Sequence, residues 1–226
     1  MGEGKGLSRG RSAGAKAAEG AAGTLSPLIF GAASDLLPAM QAFLVTFSAV
    51  ALAEMGDRTQ LLALILAARY RKPWPIIAGI FAATLFNHLA AGALGIFLAS
   101  WLTPRLLDSI VAVSLFAMAG WTLVPDDACE PPKTTAKSAF LATLVLFFLT
   151  EIGDKTQIAT AALAAAYDNL VAVVAGSTLG MLIADLPVVF VGNAFAARLP
   201  LKTIRIAAAS LFALIAVLFA VRAIGT

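Results

Sequence analysis

Six apolar stretches fill most of this 226-residue chain. They lie near residues 39–68, 74–102, 106–124, 138–166, 169–197 and 201–224. Several exceed the ~20 residues needed to cross a hydrocarbon layer. In lipid the backbone must satisfy its own polar groups, so the fold is set by helix packing rather than by a water-excluding core. Composition agrees: 60% of residues are hydrophobic and 13% charged, about half the charge of a soluble domain. Mean hydropathy is +0.91. The expected fold is an all-α polytopic membrane protein.

A fixed register relates the two halves. Glu54 and Glu151 stand 97 positions apart, and the same offset joins Gly79 to Gly176 and Gly95 to Gly192. After a one-residue slip, Pro104 matches Pro200, and Ser114-Leu115-Phe116-Ala117 matches Ser210-Leu211-Phe212-Ala213. Each half holds three spans, an odd number, so the second half enters the membrane from the opposite side. The expectation is six transmembrane helices arranged as two inverted three-helix repeats. The repeats would occupy residues 39–124 and 138–225, joined by a central polar loop at 125–137. Residues 1–34 form an N-terminal tail, disordered or interfacial, Gly/Ala-rich and broken by Pro27.

Positive charge sets the topology. The odd-numbered links hold Arg69, Arg71, Lys72, Lys133, Lys137, Arg198, Lys202 and Arg205, whereas the even ones hold only Arg105. The odd links should therefore be cytoplasmic. The basic tail, with Lys5, Arg9, Arg11 and Lys16, argues the other way, and the loops are given more weight. Trp74, Trp101 and Trp121 fall near span ends, as interfacial aromatics do. The single Cys129 excludes a disulfide framework within the chain and any multi-cysteine metal site. No basic block with interleaved aromatics is present, so no nucleic acid partner is expected.

Inside the first and fourth spans sits a charged motif: Glu54-Met55-Gly56-Asp57-Arg58-Thr59-Gln60 and Glu151-Ile152-Gly153-Asp154-Lys155-Thr156-Gln157. Each charge costs on the order of 2.5–3.5 kcal/mol at mid-membrane. A cost incurred twice in register argues for a function. On a helix Glu54 and Asp57 share a face, as do Glu151 and Asp154. Gly56 and Gly153 let a neighbour approach closely, or let the helix loosen. Inverted symmetry would bring Glu54, Asp57, Glu151 and Asp154 around one point. With Arg58 and Lys155 beside them, about two negative charges remain, matched by one divalent cation or two protons.

Carboxylates, the hydroxyls of Thr59 and Thr156 and the amides of Gln60 and Gln157 are hard oxygen donors suited to Ca²⁺, Mn²⁺ or Mg²⁺. The two threonines would either join the site or bond their own helices. The two glutamines could orient the aspartates one turn away. His88, beside Asn87 in the second span, matches Asp185 in the fifth at the repeat offset. These form a second layer of candidate ligands or proton carriers, or else simple helix-packing groups. A nitrogen donor there would favour Mn²⁺ over Ca²⁺.

The paired Glu-x-Gly-Asp-(Lys/Arg)-Thr signature within six inverted spans resembles the Gdt/TMEM-type cation/proton exchangers, a family of Golgi manganese and calcium transporters and bacterial manganese exporters. The resemblance runs over residues 39–224. It implies exchange of Ca²⁺ or Mn²⁺ for H⁺, with Glu54, Asp57, Glu151 and Asp154 as the cation site and no resident cofactor. The short central loop and tail look bacterial, which implies Mn²⁺ export across the inner membrane.

Two other classes fit parts of the pattern. An intramembrane aspartyl-type enzyme needs paired acids, but the motif bases would hold these acids ionised, and there are four rather than two. A structural or assembly subunit would need no such charges. Neither accounts for the duplication as well as a transporter does.

Overall fold

Proline and glycine punctuate the helices of the described residues. The computed structural model describes residues 36–124, 138–192 and 200–225. Among them are eight helices and no strand. The expected tail at 1–34, the central loop at 125–137 with Cys129, and residues 193–199 with Arg198 lie outside the described residues.

The helices are α1 Leu36–Glu54, α2 Arg58–Tyr70, α3 Pro73–Ala99, α4 Pro104–Leu123, α5 Ala139–Glu151, α6 Lys155–Tyr167, α7 Leu170–Val191 and α8 Leu201–Gly225. Five of them, α1, α3, α4, α7 and α8, are long and apolar enough to cross a membrane. Pro73 and Pro104 open α3 and α4, where the missing N–H costs nothing. Arg71 and Asp168, 97 positions apart, both end a helix in the left-handed region, and their N–H groups close on the carbonyls of Ala67 and Ala164. Asn169 then caps α7 by accepting from the Ala172 N–H at 3.0 Å, so Asp168 and Asn169 make a tight turn between α6 and α7.

The first and fourth expected spans are each two helices rather than one. They are interrupted at residues 55–57 and 152–154. The helices α2, α5 and α6 have 13 residues each, roughly 20 Å of rise. Each is therefore too short to span alone.

The helices pack in a unit that begins at Gln41; of the preceding unit, only residues 36–40 are described, and they are helical. Its polarity is that of an integral membrane protein. Large apolar side chains such as Phe86, Phe97, Val113, Leu149 and Leu218 face outward, while Glu54, Asp57, Glu151, Asp154 and Lys155 are buried. A water-soluble surface could not expose apolar area of this extent. Small residues bring the backbones together: Ala49, Ala112, Ala159, Ala164 and Ala216 sit in a core with Leu115, Leu163 and Phe212. α4 packs along α8, and α3 packs along both α5 and α6. At Gly79 a methyl group would lie 2.9 Å from the Phe140 carbonyl oxygen, and at Gly176 one would lie 2.6 Å from that of Phe43. Both glycines are close-packing positions, and each holds its helix against a helix of the other half.

Candidate metal-binding site

Both motifs break their helices in the same way. α1 ends at Glu54, whose carbonyl accepts from the Asp57 N–H at 3.0 Å; α5 ends at Glu151, whose carbonyl accepts from the Asp154 N–H at 3.0 Å. Between them Gly56 (φ +83°) and Gly153 (φ +75°) lie in the left-handed region, where any other residue would be strained. The glycines thus loosen the helix rather than only admit a neighbour. Asp57 and Asp154 follow in extended backbone as N-caps of α2 and α6. A carboxylate there lies at the positive end of a helix dipole. The i, i+3 face expected of a continuous helix is replaced by a turn that aims the acids inward.

The glutamines hold the breaks open. Gln60 Oε1 accepts from the Gly56 N–H at 3.0 Å, and its Nε2 donates to the Ala184 carbonyl at 2.8 Å. Gln157 repeats this with the Gly153 N–H at 2.6 Å and the Asn87 carbonyl at 3.5 Å. Ala184 and Asn87 are themselves 97 positions apart. Each break is therefore clamped to the long helix of the opposite half. The expected role of orienting the aspartates gives way to one of bracing the backbone.

The charges pair across the halves. Arg58 donates to Asp154 at 2.9 Å, and Lys155 donates to Asp57. Both pairs are buried on the acid side. The threonines turn to the acids rather than to their own helices. The Thr59 hydroxyl donates to Glu54 Oε2 at 2.8 Å and lies 3.3 Å from Asp57 Oδ2; the Thr156 hydroxyl donates to Asp154 Oδ2 at 3.3 Å.

Three carboxylates converge. Oxygens of Glu54, Asp57 and Asp154 lie within 4.8 Å of one another, all buried. Glu54 Oε1 has no hydrogen-bond partner among the described residues. A buried carboxylate oxygen without a donor calls for an ion or a water, and an all-oxygen cluster of this size suits a hard divalent cation. Glu151 stands apart from this group. Its oxygens accept from Thr84 at 3.0 Å and Asn87 at 3.4 Å. Thr84 was not singled out from sequence, although it lies one turn before Asn87 on the same face. The positions equivalent to Thr84 and Asn87 are Met181 and Ala184, which offer Glu54 no such donors.

His88 and Asp185 are both buried, and neither ring nitrogen nor either carboxylate oxygen finds a partner among the described residues. His88 is not part of the three-carboxylate group. Away from the site, buried Asp108 of α4 accepts from Arg222 of α8 at 3.1 Å, a pair sequence reasoning did not single out.

The sequence has relatives among known proteins. The family described as "Divalent cation/proton antiporter GDT1" matches the chain twice, at residues 42–129 and 139–226. A protein of Vibrio cholerae named "Putative manganese exporter" is 49% identical over 178 residues, covering 78% of this chain and 89% of its own. A GDT1-like protein of Synechocystis is 30% identical over 204 residues, covering 79% of this chain and 96% of its own. No solved structure matches. The chain belongs to the GDT1 family of divalent cation/proton antiporters.

Proposed function

We propose that this protein exports Mn²⁺ in exchange for protons through the buried carboxylates of its two motifs. The observation that carries the reading is the convergence of Glu54, Asp57 and Asp154 within 4.8 Å. One member of that cluster, Glu54, keeps an oxygen without a partner. The name of the Vibrio cholerae relative supports manganese as the cation.

Charge counting supports exchange. Asp57 is paired with Lys155 and Asp154 with Arg58, which leaves, within the two motifs, Glu54 and Glu151 as a formal surplus of two negative charges. One divalent cation or two protons would balance them. In this scheme Glu54, Asp57 and Asp154 ligate the ion. Thr59 and Thr156 orient the acids, and Glu151 carries charge beside the cluster. Asn87 holds Glu151, the glutamines brace the turns, and His88 and Asp185 form a second polar layer.

The two halves form an inverted repeat in this scheme, with each broken helix pair acting as one of six spans. The Lys and Arg of the odd links support a cytoplasmic position for them in a bacterial inner membrane. The paired breaks then present their half-helix ends to an ion near mid-membrane.

The test is flux in liposomes loaded with a pH dye. An imposed Mn²⁺ gradient should move protons in the opposite sense. Glu54→Gln and Glu151→Gln should abolish that movement, and equal flux in these variants would overturn the site. A Ca²⁺ gradient run in parallel ranks the second cation.

A further inference from the structure

The two halves differ at one interface where the repeat would have them alike. α3 lies tightly on α6: a methyl group at Gly95 would collide with the carbonyl of Ala161, and one at Gly92 would sit 2.7 Å from Leu170 Cδ1 and 3.5 Å from Ala164 Cβ. The equivalent contact, 97 positions on, is between α7 and α2. There, among the described residues, a methyl group at Gly192 would meet only Leu64 Cδ1, at 3.9 Å. A cleft of about 480 Å³ opens between the ends of the two helices, lined among the described residues by Leu64, Ala67, Ala68, Val189, Val191 and Gly192.

Two further observations follow the same division. The Arg58 side chain, at the start of α2, is 32% exposed, whereas its counterpart Lys155, at the start of α6, is 4% exposed. α7 contains Pro187 and ends at Val191, with Gly192 at a positive φ of 69°. The position equivalent to Pro187 in α3 is Ala90, and α3 runs on unbroken to Ala99. Proline removes a helical hydrogen bond and is a recognised site of bending. It lies three residues beyond Ala184, the residue that clamps the Gln60 brace.

We propose that the α2–α7 cleft is the open access gate of the carboxylate site, that the Gly95–Ala161 contact is its closed counterpart, and that transport exchanges the two as the end of α7 bends at Pro187. This rests on the antiport reading above. Under the charge of the links, the open gate faces the cytoplasm, so the structure is the state that loads the ion for export. Two packed arrangements of equivalent interfaces, rather than a continuous deformation, are what rigid-body rocking of one repeat against the other requires. Glycine at both Gly95 and Gly192 lets either interface close to backbone contact.

The experiment uses the full chain in liposomes on a Cys129→Ser background. Ala68→Cys and Val191→Cys place one thiol on each of the two helices that line the cleft. A short bis-methanethiosulfonate crosslinker, attached through disulfides, should join them and reduce Mn²⁺-driven proton flux to background, and a reductant should restore it. A pair that crosslinks without loss of flux, or that never crosslinks in transporting protein, overturns the gate. Independently, Gly95→Ala should force the closed contact apart. Maleimide should then label Ala164→Cys several-fold faster and Ala67→Cys several-fold slower than in the parent. Unchanged rates at both positions overturn the proposal as well. If the parent protein moves no cation, the antiport reading fails instead; the labelling rates still report on the gates.

Discussion

Lys155 donates to Asp57 across the duplication, from the second motif to the first, with 4% of one side chain and none of the other exposed. Arg58 and Asp154 make the reciprocal contact. Neither motif neutralises itself. Each supplies the base that holds the other's acid, so the cluster exists only when both halves are assembled. Removing one partner from a buried pair costs about 3–5 kcal/mol, because the other charge stays buried. Asp57→Asn should therefore lower the melting temperature more than the double variant Asp57→Asn/Lys155→Met, in which both charges are gone. Thermal unfolding in detergent measures the difference. A double variant that melts below the single one would show that the pair is not the unit.

The two glutamine braces are equivalent in design but unequal in strength. Gln60 is buried and reaches its carbonyl at 2.8 Å; Gln157 is half-buried and reaches at 3.5 Å. Deleting a buried partner leaves a backbone group unpaired, at a cost of about 1–3 kcal/mol. Gln60→Ala should destabilise the protein and slow transport more than Gln157→Ala does. Melting curves and flux measured on the same preparations check the order, and equal effects would contradict it.

Some of this was open to reading from the chain. The helical membrane class follows from the apolar stretches, and the family from the doubled motif. The helix breaks were less legible. Glu54 and Asp57 at i, i+3 suit a continuous helix, and nothing local decides otherwise. What decides is a tertiary contact, the Gln60 amide on the Ala184 carbonyl, which fixes the turn that Gly56 permits. The exchange of bases between motifs is likewise a matter of packing. The separation of Glu151 from the three-carboxylate group has a trace in the register, since Thr84 and Asn87 align with Met181 and Ala184. Comparing the halves position by position would have found that asymmetry.

Arg222 and Asp108 make a pair between α8 and α4, outside the carboxylate group. The guanidinium side chain is 58% exposed, so screening limits its worth to roughly 1 kcal/mol or less. Arg222→Gln should lower stability slightly and leave the Mn²⁺ concentration for half-maximal flux unchanged. Asp108→Asn in the same background should recover the loss, because the buried acid no longer lacks its base. A change in half-maximal concentration in either variant would tie this pair to the ion path.

Asp185 and His88 occupy equivalent positions on α7 and α3, both buried and both without a hydrogen-bond partner among the described residues. Burying a polar group unpaired costs about 1–3 kcal/mol by mutational measure. A chain selected only for packing would place leucine at both positions. Asp185→Leu and His88→Leu should accordingly hold or raise the melting temperature while lowering flux, the trade expected where a strained site is kept for activity. If they lower stability and leave flux intact, the two residues serve packing through contacts other than hydrogen bonds, and the second polar layer has no part in exchange. The pair also separates their roles. Asp185 is an acid and can add a negative charge that the exchanged ions must balance, whereas the imidazole of His88 cannot. Asp185→Leu should therefore alter the number of protons moved per Mn²⁺, and His88→Leu should slow flux at an unchanged ratio. Simultaneous measurement of Mn²⁺ and proton movement in the same liposomes distinguishes them.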